Sequence, residues 1–364
     1  MPEVLALVPY QLGAAGGQRT TIELWAPTLA AHGINVRFAP YESERLHRDL
    51  YQADRALAKG TEIVRAYGRR LRLLADLSSY DAVFVYREAA LLGPEILERW
   101  VVGRGLPLIY GLDDPLFVPY HSPANGALSR LKFPGKVARV CSLASAVIVN
   151  GPPLRSFAAS HNTNVWVVPN LVDGSTYYPH TRPAATPPRL GWIGSPSTVA
   201  NLDVLAEPLG RLARRVPFDL DVIGATPTAV RGVACTSKPW SAATEVDDLR
   251  RFDVGLLPLG HNPWNPWKFN FKLAQYMALG IPPVCTPMGS NAKLVEHGVT
   301  GWLAATPDEW VRYLEALITD DELRQRMGAA AADFAHRHFT LAANEDNIVG
   351  AFRSALASVP ARHR

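Results

Sequence analysis

The chain has 364 residues, of which 48% are hydrophobic and 19% charged, and its formal net charge is +4. This length suits two domains with packed cores, and the small positive charge, without zinc-finger spacing or a basic tail, argues against a nucleic-acid-binding protein. The three cysteines are far apart, which argues against a disulfide framework and predicts a reducing, cytoplasmic compartment. No apolar run reaches the roughly 18 residues of a membrane span, and the N-terminal segment is expected to be a strand, not a signal peptide.

Short apolar runs alternate with helical patterns along nearly the whole chain. The predicted strands form two series: EVLALVPY, NVRFAP, DAVFVYR, PLIYGLD, AVIVN and VWVVPN, followed by RLGWIG, FDLDVIG, DVGLLPL, IPPVCT and GWLAA. Continuous apolar strands separated by helices indicate parallel sheets that are covered on both faces. Between the two series, the Pro- and Thr-rich segment 173–189 has no periodic pattern and is predicted to be a linker.

The sequence therefore predicts an α/β protein with two doubly wound, Rossmann-like domains that face each other across a cleft. The first domain is predicted to span 1–172 and the second 190–344. The remaining segment, 345–364, contains a C-terminal helix that could pack back on the first domain. Because ligands of such sheets bind at the carboxyl ends of the strands, the turns that follow strands are the candidate sites.

A glycine-rich turn, GAAGGQRT, follows the first strand. Its Gly16 and Gly17 would let a ligand approach the backbone closely, and Arg19 would stand beside them. A plain tight turn has the same composition, so this turn alone is weak evidence of a site.

Two adjacent acids follow the apolar strand PLIYGLD. Asp113 and Asp114 stand at a strand end, where open α/β sheets carry binding and catalytic groups. One of the two could instead cap the turn before Pro115. We predict that Asp113 faces a bound ligand.

The segment WNPWKFNFKLAQYMALG is predicted to be a helix that starts at Asn265 and Pro266 and ends at Gly280. Lys268 and Lys272 would then occupy its first two turns, in a stretch without any acid. Cations are unfavourable near a helix N-terminus, so solvated lysines are the ordinary explanation and anion binding is the alternative. We favour an anion such as a diphosphate, because dipole and ammonium groups would all point at it.

Two further strand-to-helix turns of the second half have the same character. Gly194 and Ser195 follow the strand RLGWIG, and Gly289, Ser290 and Asn291 follow IPPVCT. Small residues in such turns allow backbone amides to reach an oxygen-rich ligand. We predict that these five residues bind the same ligand as the two lysines.

Three stretches carry a family resemblance: KFNFKLAQYMALGIPPVCTPMGSNAKLVEHGVTGWLA, EWVRYLEALITDDELRQRMGAAAADFA and GGQRTTIELWAPTLAAHGINVRF. The chain resembles the retaining GT-B glycosyltransferases of family 4 (glycosyltransferase group 1) over nearly its whole length. The resemblance implies that the second domain holds a nucleotide-diphosphate sugar as co-substrate. The first domain would hold a saccharide, lipid-linked or small-molecule acceptor, and no cofactor or metal would be needed. Asp113 would contact the transferred sugar, and Gly16 and Gly17 would lie beneath the donor. Arg19 and Asp114 would lie on the acceptor side.

The chain departs from the family pattern at several positions. The family has two glutamates eight positions apart, and this chain has Trp267 and Gln275 at those positions. Lys293 stands where the family has a further glutamate, near the end of the glycine turn. Gln275 would take over the contact to the donor ribose. No counterpart of the family's phosphate-binding Arg/Lys pair follows RLGWIG, so Lys268 and Lys272 are expected to do that work.

The resemblance, together with these residues, implies a retaining, metal-independent glycosyltransferase. A nucleotide-sugar epimerase or hydrolase on the same fold is one alternative; it would need an activated base, for which His121 is the single weak candidate. A non-catalytic sugar-nucleotide-binding partner subunit is another, because both family glutamates are replaced.

The arginine-rich segment 44–77 is predicted to be helical. Peripheral contact with a membrane surface is an alternative there, but its acids, Glu44, Asp49, Asp54, Glu62 and Asp76, favour an ordinary solvated face.

Overall fold

The structure is a computed structural model, and the part of the chain that it describes comprises residues 1–50, 56–119, 132–180, 185–226, 230 and 233–358. The chain divides into two compact units. Unit 1 consists of Met1–Asn170 and the chain from Asn344 onward, and unit 2 is Leu171–Ala343. In the described part, no helix combines the length and the apolar character that crossing a bilayer requires.

Unit 1 contains a parallel sheet of six strands in the order β2-β1-β3-β4-β5-β6. The strands are β1 Glu3–Val8, β2 Asn35–Pro40, β3 Ala82–Tyr86, β4 Leu108–Leu112, β5 Ala146–Val149 and β6 Val165–Val167. The inner strands β3, β4 and β5 are buried at every position, as their unbroken apolar runs require in a sheet that is covered on both faces.

Helices cover this sheet: α1 Gly16–Gln18, α2 Leu24–Ala31, α3 Glu44–Leu50, α4 Ala56–Ala75, α5 Ile96–Gly103, α6 Lys136–Leu143, α7 Pro152–Ala159 and the final helix α14 Leu341–Ala357. A π-helical segment, Arg19–Glu23, joins α1 to α2. The part of α14 that belongs to unit 1 packs on its core, where Phe352 stacks on Phe84 with ring centroids 5.6 Å apart.

Unit 2 also contains six parallel strands, in the order β12-β11-β10-β7-β8-β9. They are β7 Arg189–Ile193, β8 Asp219–Ile223, β9 Cys235–Lys238, β10 Val254–Leu257, β11 Pro283–Cys285 and β12 Trp302–Leu303. Successive residues of β7 belong to two different apolar clusters: Trp192 lies in one and Ile193 in the other. The sheet is therefore covered on both faces. Tyr177, from the predicted linker 173–189, is buried in one of these clusters; residues 181–184 of that linker lie outside the described part.

The helices of unit 2 are α8 Ala206–Leu212, α9 Glu245–Leu249, α10 Phe271–Ala278, α11 Asn291–Leu294, α12 Pro307–Thr319 and α13 Asp321–His338. Two 3-10 helices, Pro196–Leu205 and Asn265–Trp267, precede α8 and α10 respectively.

All eleven predicted strands are confirmed, and the two-sheet α/β fold with them. The sequence missed β9. All four of its residues are exposed, so this edge strand lacks the apolar pattern by which the others were found.

The predicted start of the lysine-bearing helix is wrong. Asn265 and Pro266 belong to the short 3-10 helix, Lys268 has an extended backbone, and α10 begins only at Phe271. Asn265 is buried and its amide donates to the Gly260 carbonyl oxygen at 2.7 Å, which fixes it in the preceding loop. Lys268 therefore lies before the helix and Lys272 in its first turn. Gly280, with φ at +73°, ends the segment as predicted.

Candidate functional site

The ends of β3 and β4 in unit 1 carry a cluster of buried polar side chains. The Arg87 guanidinium donates to Asp113 through Nε to Oδ1 at 2.6 Å and through Nη2 to Oδ2 at 2.8 Å. Nη2 also lies 2.7 Å from Oδ2 of Asp114, and the Tyr86 hydroxyl donates to Asp113 Oδ2 at 2.5 Å. The predicted pair of acids is thus bound to one arginine, and neither oxygen of Asp113 is left without a partner.

Arg87 has an unusual backbone for its residue type. Its φ is +61°, in the left-handed region, which a non-glycine residue adopts at an energetic cost and which is frequent at functional sites. The Tyr110 hydroxyl donates to the Arg87 carbonyl oxygen at 3.0 Å. Burial lowers the pKa of Arg87, but the charges of Asp113 and Asp114 outweigh it and hold that pKa well above the usual value.

Of the two glycines predicted for the site in the turn after β1, Gly17 lies against this cluster and Gly16 does not. A Cβ on Gly17 would lie 2.7 Å from the Tyr86 hydroxyl and 2.8 Å from Asp113 Oδ2, whereas a Cβ on Gly16 would meet nothing within 4 Å. Arg19, the first residue of the π-helical segment, is partly buried. The structure therefore brings Gly17, Asp113 and Asp114 together.

In unit 2, Lys272 lies at the carboxyl end of β7. Its ammonium is 4.1 Å from the centroid of the Trp192 ring, on which it rests as a cation–π contact. A Cβ on Gly194 would come within 2.7 Å of Lys272 Nζ and 2.4 Å of the Trp192 ring. The absence of a side chain at Gly194 is what makes room for the ammonium.

Lys272 is held in an unfavourable electrostatic setting. Burial, and secondly the positive charge of Lys268, lower its pKa from the usual 10.5 to about 7. Among the described residues, no carboxylate forms an ion pair with Lys268 or Lys272. Two neighbouring cations without a counter-ion form a site that an anion would stabilise.

In the turn after β11, two of the three predicted residues have backbone amides that are already engaged. Ser290 N–H donates to the Lys268 carbonyl oxygen at 3.2 Å and Asn291 N–H to that of Met288 at 3.2 Å, and both side chains are fully buried. Gly289 has φ at +60°, and a Cβ there would meet the Lys268 carbonyl oxygen at 2.9 Å. These contacts fasten the segment that carries Lys268 and engage the backbone amides of Ser290 and Asn291. Among the described residues, the buried Ser290 Oγ and the Gly289 N–H have no hydrogen-bond partner.

The turn after β7 is similar. Gly194 N–H donates to the Ile223 carbonyl oxygen at 2.9 Å. Ser195 N–H donates to Thr198 Oγ1 at 3.2 Å, and Ser195 is the N-cap of the 3-10 helix Pro196–Leu205. The predicted amide contacts of this turn are therefore already used inside unit 2.

Gln275 is buried within α10, at 2% exposure. Its Nε2 donates to the Tyr177 hydroxyl at 3.1 Å and to Glu245 Oε1 at 2.5 Å. The amide predicted to hold a ribose thus links α10 to α9, and any ligand contact would fall to its oxygen.

Sequence reasoning missed Arg87, Tyr86, Trp192 and Glu245. Arg87 had a signal, since it directly follows the buried strand β3 and the strand-end rule that found Asp113 applies to it equally. Glu245 had none, because its contact with Gln275 joins two helices that are distant in sequence. His121 lies outside the described residues, which contain no group of three or more His, Cys, Asp or Glu side chains suited to a metal ion.

Residues 187–320 match the family model of the group 1 glycosyl transferases. A 90-residue segment is 33% identical to the D-inositol 3-phosphate glycosyltransferase of Stackebrandtia nassauensis; it covers 24% of this chain and 20% of that relative. The chain therefore spans about a fifth of the curated relative that it matches.

Solved structures resemble the whole chain. Sucrose-phosphate synthase of Thermosynechococcus elongatus has a TM-score of 0.71 at 14% identity, over 98% of this chain and 100% of that one. HepE of Anabaena, in complex with UDP and glucose, has a TM-score of 0.67 at 16% identity, over 99% and 100%. A glycosyltransferase of Rickettsia africae has a TM-score of 0.69 at 11% identity, over 98% of this chain and 99% of that one. The resemblance to the group 1 glycosyltransferases is therefore confirmed over residues 187–320, and the chain as a whole has the GT-B glycosyltransferase fold.

Proposed function

We propose that this protein is a retaining, metal-independent glycosyltransferase, which moves a sugar from a nucleotide-diphosphate donor to an acceptor hydroxyl. The observation that carries the proposal is the pair Lys268 and Lys272. Lys272 stands at the carboxyl end of β7, Lys268 is close enough to lower its pKa, and no carboxylate of the described residues forms an ion pair with either. A diphosphate supplies the missing negative charge.

The same pair explains how the reaction would be accelerated. When the bond between the anomeric carbon and the diphosphate oxygen breaks, negative charge grows on the leaving phosphate. Lys272 and Lys268 stabilise that charge where it develops, and the positive end of the α10 dipole adds to them. The donor also restores the charge of Lys272: a phosphate beside its ammonium raises the pKa that burial and Lys268 have lowered.

The two lysines take the place that a divalent cation would have beside the diphosphate, which is why we propose metal independence. The first donor to test is a UDP-sugar, because HepE of Anabaena is described in complexes with UDP and with UDP-glucose. The acceptor would be a saccharide, a lipid-linked molecule or a small molecule, and we assign its recognition to unit 1.

The test is release of nucleoside diphosphate from a panel of nucleotide sugars, with and without candidate acceptors, in the presence and absence of a chelator. We expect acceptor-dependent release that the chelator leaves intact and that Lys272→Met lowers strongly. The matched control is Lys293→Met, which changes an exposed lysine of α11. Acceptor-independent release would indicate a hydrolase, and binding without release would indicate a non-catalytic subunit.

A further inference from the structure

Helices α4 and α5 of unit 1 expose several large apolar side chains. Val64 and Leu71 on α4 are 72% and 51% exposed, and Ile96 and Trp100 on α5 are 56% and 48% exposed. Single exposed hydrophobic residues are ordinary on a protein surface. Four of them on two neighbouring helices form a patch of the kind that marks an interaction surface.

The two helices are adjacent. The Trp100 indole donates through Nε1 to the Leu74 carbonyl oxygen at 3.0 Å, which fixes α5 beside the end of α4. Val64 and Leu71 are seven residues apart, two helical turns, and so lie on the same side of α4. We call the exposed sides of these two helices the α4–α5 surface.

This surface is positively charged. Its exposed cations are Arg65, Arg69, Arg72, Arg99 and Arg104. Arg65 pairs with Glu62 at 2.6 Å and Arg99 with Glu95 at 3.0 Å, so the excess positive charge comes from Arg69, Arg72 and Arg104. The one acid of α4, Glu62, and the one acid of α5, Glu98, are 5% and 3% exposed. Of the five acids that the sequence places in 44–77, Glu62 is buried, Glu44 and Asp76 are exposed at the two ends of the segment, and the side chains of Asp49 and Asp54 lie outside the described part.

Apolar and cationic groups are interleaved on the α4–α5 surface. The Arg104 guanidinium lies 4.8 Å from the centroid of the Trp100 ring. Along α4, Arg65 directly follows Val64 and Arg72 directly follows Leu71. Tryptophan and arginine favour the boundary between lipid headgroups and acyl chains, because each combines an apolar body with a polar end.

We propose that the α4–α5 surface docks this protein onto an anionic phospholipid bilayer. The arginines pair with lipid phosphates, and Val64, Leu71, Ile96 and Trp100 enter the interfacial layer. A nucleic acid would use the arginines but would leave those four apolar side chains in water, so the bilayer accounts for more of the surface. This inference does not depend on the proposed enzymatic activity.

The experiment is co-sedimentation of the full chain with vesicles of phosphatidylcholine alone and of phosphatidylcholine and phosphatidylglycerol in equal parts. We expect binding to the anionic vesicles that weakens as salt is added. Arg72→Gln with Arg104→Gln should weaken partitioning roughly fivefold for each arginine removed. Val64→Ser with Leu71→Ser should weaken it about tenfold.

Two matched controls change similarly exposed residues elsewhere. They are Arg326→Gln with Arg337→Gln on α13, and Val299→Ser. Neither should alter vesicle binding, and thermal unfolding should show all variants folded. The proposal is overturned if the parent ignores anionic vesicles, or if the controls weaken binding as much as the α4–α5 variants. It is equally overturned if these variants abolish binding of an oligonucleotide or self-association while vesicle binding stays unchanged.

Discussion

Arg87 and Asp113 form a two-point ion pair, with Nε to Oδ1 at 2.6 Å and Nη2 to Oδ2 at 2.8 Å. Asp113 is 8% exposed, and its second oxygen also accepts the Tyr86 hydroxyl. This carboxylate holds an arginine at the end of β3 in a left-handed backbone conformation. Asp113 therefore fixes the position of the Arg87 guanidinium in this structure.

Asp113→Asn tests that relationship. Asparagine keeps the shape but loses the charge, and its amide hydrogens face the guanidinium, so one buried charge-assisted contact is lost. We expect the free energy of unfolding to fall by about 1–3 kcal/mol. Turnover should fall far more than donor affinity, because the cluster belongs to unit 1 and the lysines to unit 2.

Denaturant unfolding and steady-state kinetics measure the two effects. Asp114→Asn is the control, because its side chain is 25% exposed and shares Arg87 with Asp113. It should cost less stability. An Asp113→Asn protein with the stability and turnover of the parent would mean that the ion pair has no role in either.

Gly17→Ala probes the same cluster from the glycine turn. The new Cβ would lie 2.7 Å from the Tyr86 hydroxyl and 2.9 Å from Arg87 Nη2, so the cluster must shift. We expect a lower melting temperature and lower turnover. Gly16→Ala, which meets nothing within 4 Å, should leave the melting temperature unchanged, and an equal loss of melting temperature in the two variants would contradict the described packing.

The sequence predicted those parts of the fold that local patterns encode. Apolar runs located eleven strands, and strand-end reasoning located Asp113 and Gly194. It failed where tertiary contacts decide: Asn265 and Pro266 resemble a helix start, but burial of Asn265 against Gly260 places them in a 3-10 turn. The partners of Asp113 and Gln275 come from other strands and helices, so no local pattern could reveal that these polar groups were already engaged.

Gln275→Glu would restore a glutamate at the position where the family has one. Because Gln275 Nε2 donates to Glu245 Oε1 at 2.5 Å, the new carboxylate would replace that donor and face a second carboxylate in a buried site. We expect the variant to lose about 1–3 kcal/mol of unfolding free energy at neutral pH. The loss should shrink at acid pH, where one of the two carboxyls takes up a proton.

Urea unfolding at pH 7 and at pH 5 checks this expectation. Gln275→Glu combined with Glu245→Gln is the control, because it restores an amide opposite a carboxylate. That double variant should recover most of the lost stability. If Gln275→Glu alone is as stable as the parent at both pH values, the Glu245 contact has no energetic weight.

Lys272 links stability, pH and ligand binding. Its pKa is lowered from 10.5 to about 7, so between these pH values the unfolded chain holds a proton that the folded, ligand-free protein has released. The free energy of unfolding therefore rises with pH across this window. Lys272→Met removes that dependence, and it should be more stable than the parent at and below neutral pH, with the advantage lost above pH 10.5.

The affinity for a diphosphate should fall as the pH rises, whereas the free energy of unfolding rises. A diphosphate needs the ammonium form, so above pH 7 its binding takes up a proton, and affinity should fall by up to about tenfold per pH unit. Lys272→Met and Lys268→Met should each lose about 1.5–3 kcal/mol of diphosphate binding, which is roughly ten- to a hundredfold in affinity. The free nucleoside, which lacks phosphates, should be bound almost equally by parent and variants.

Calorimetric titration with nucleoside diphosphate, in two buffers of different ionisation enthalpy at pH 8, measures affinity and proton uptake together. Thermal unfolding with nucleoside, with nucleoside diphosphate and with neither gives an independent readout of the same difference. Lys293→Met should behave as the parent in both measurements. If the Lys268 and Lys272 variants respond to the diphosphate as the parent does, and binding releases or takes up no proton, then the two lysines are surface charges and the donor phosphates bind elsewhere.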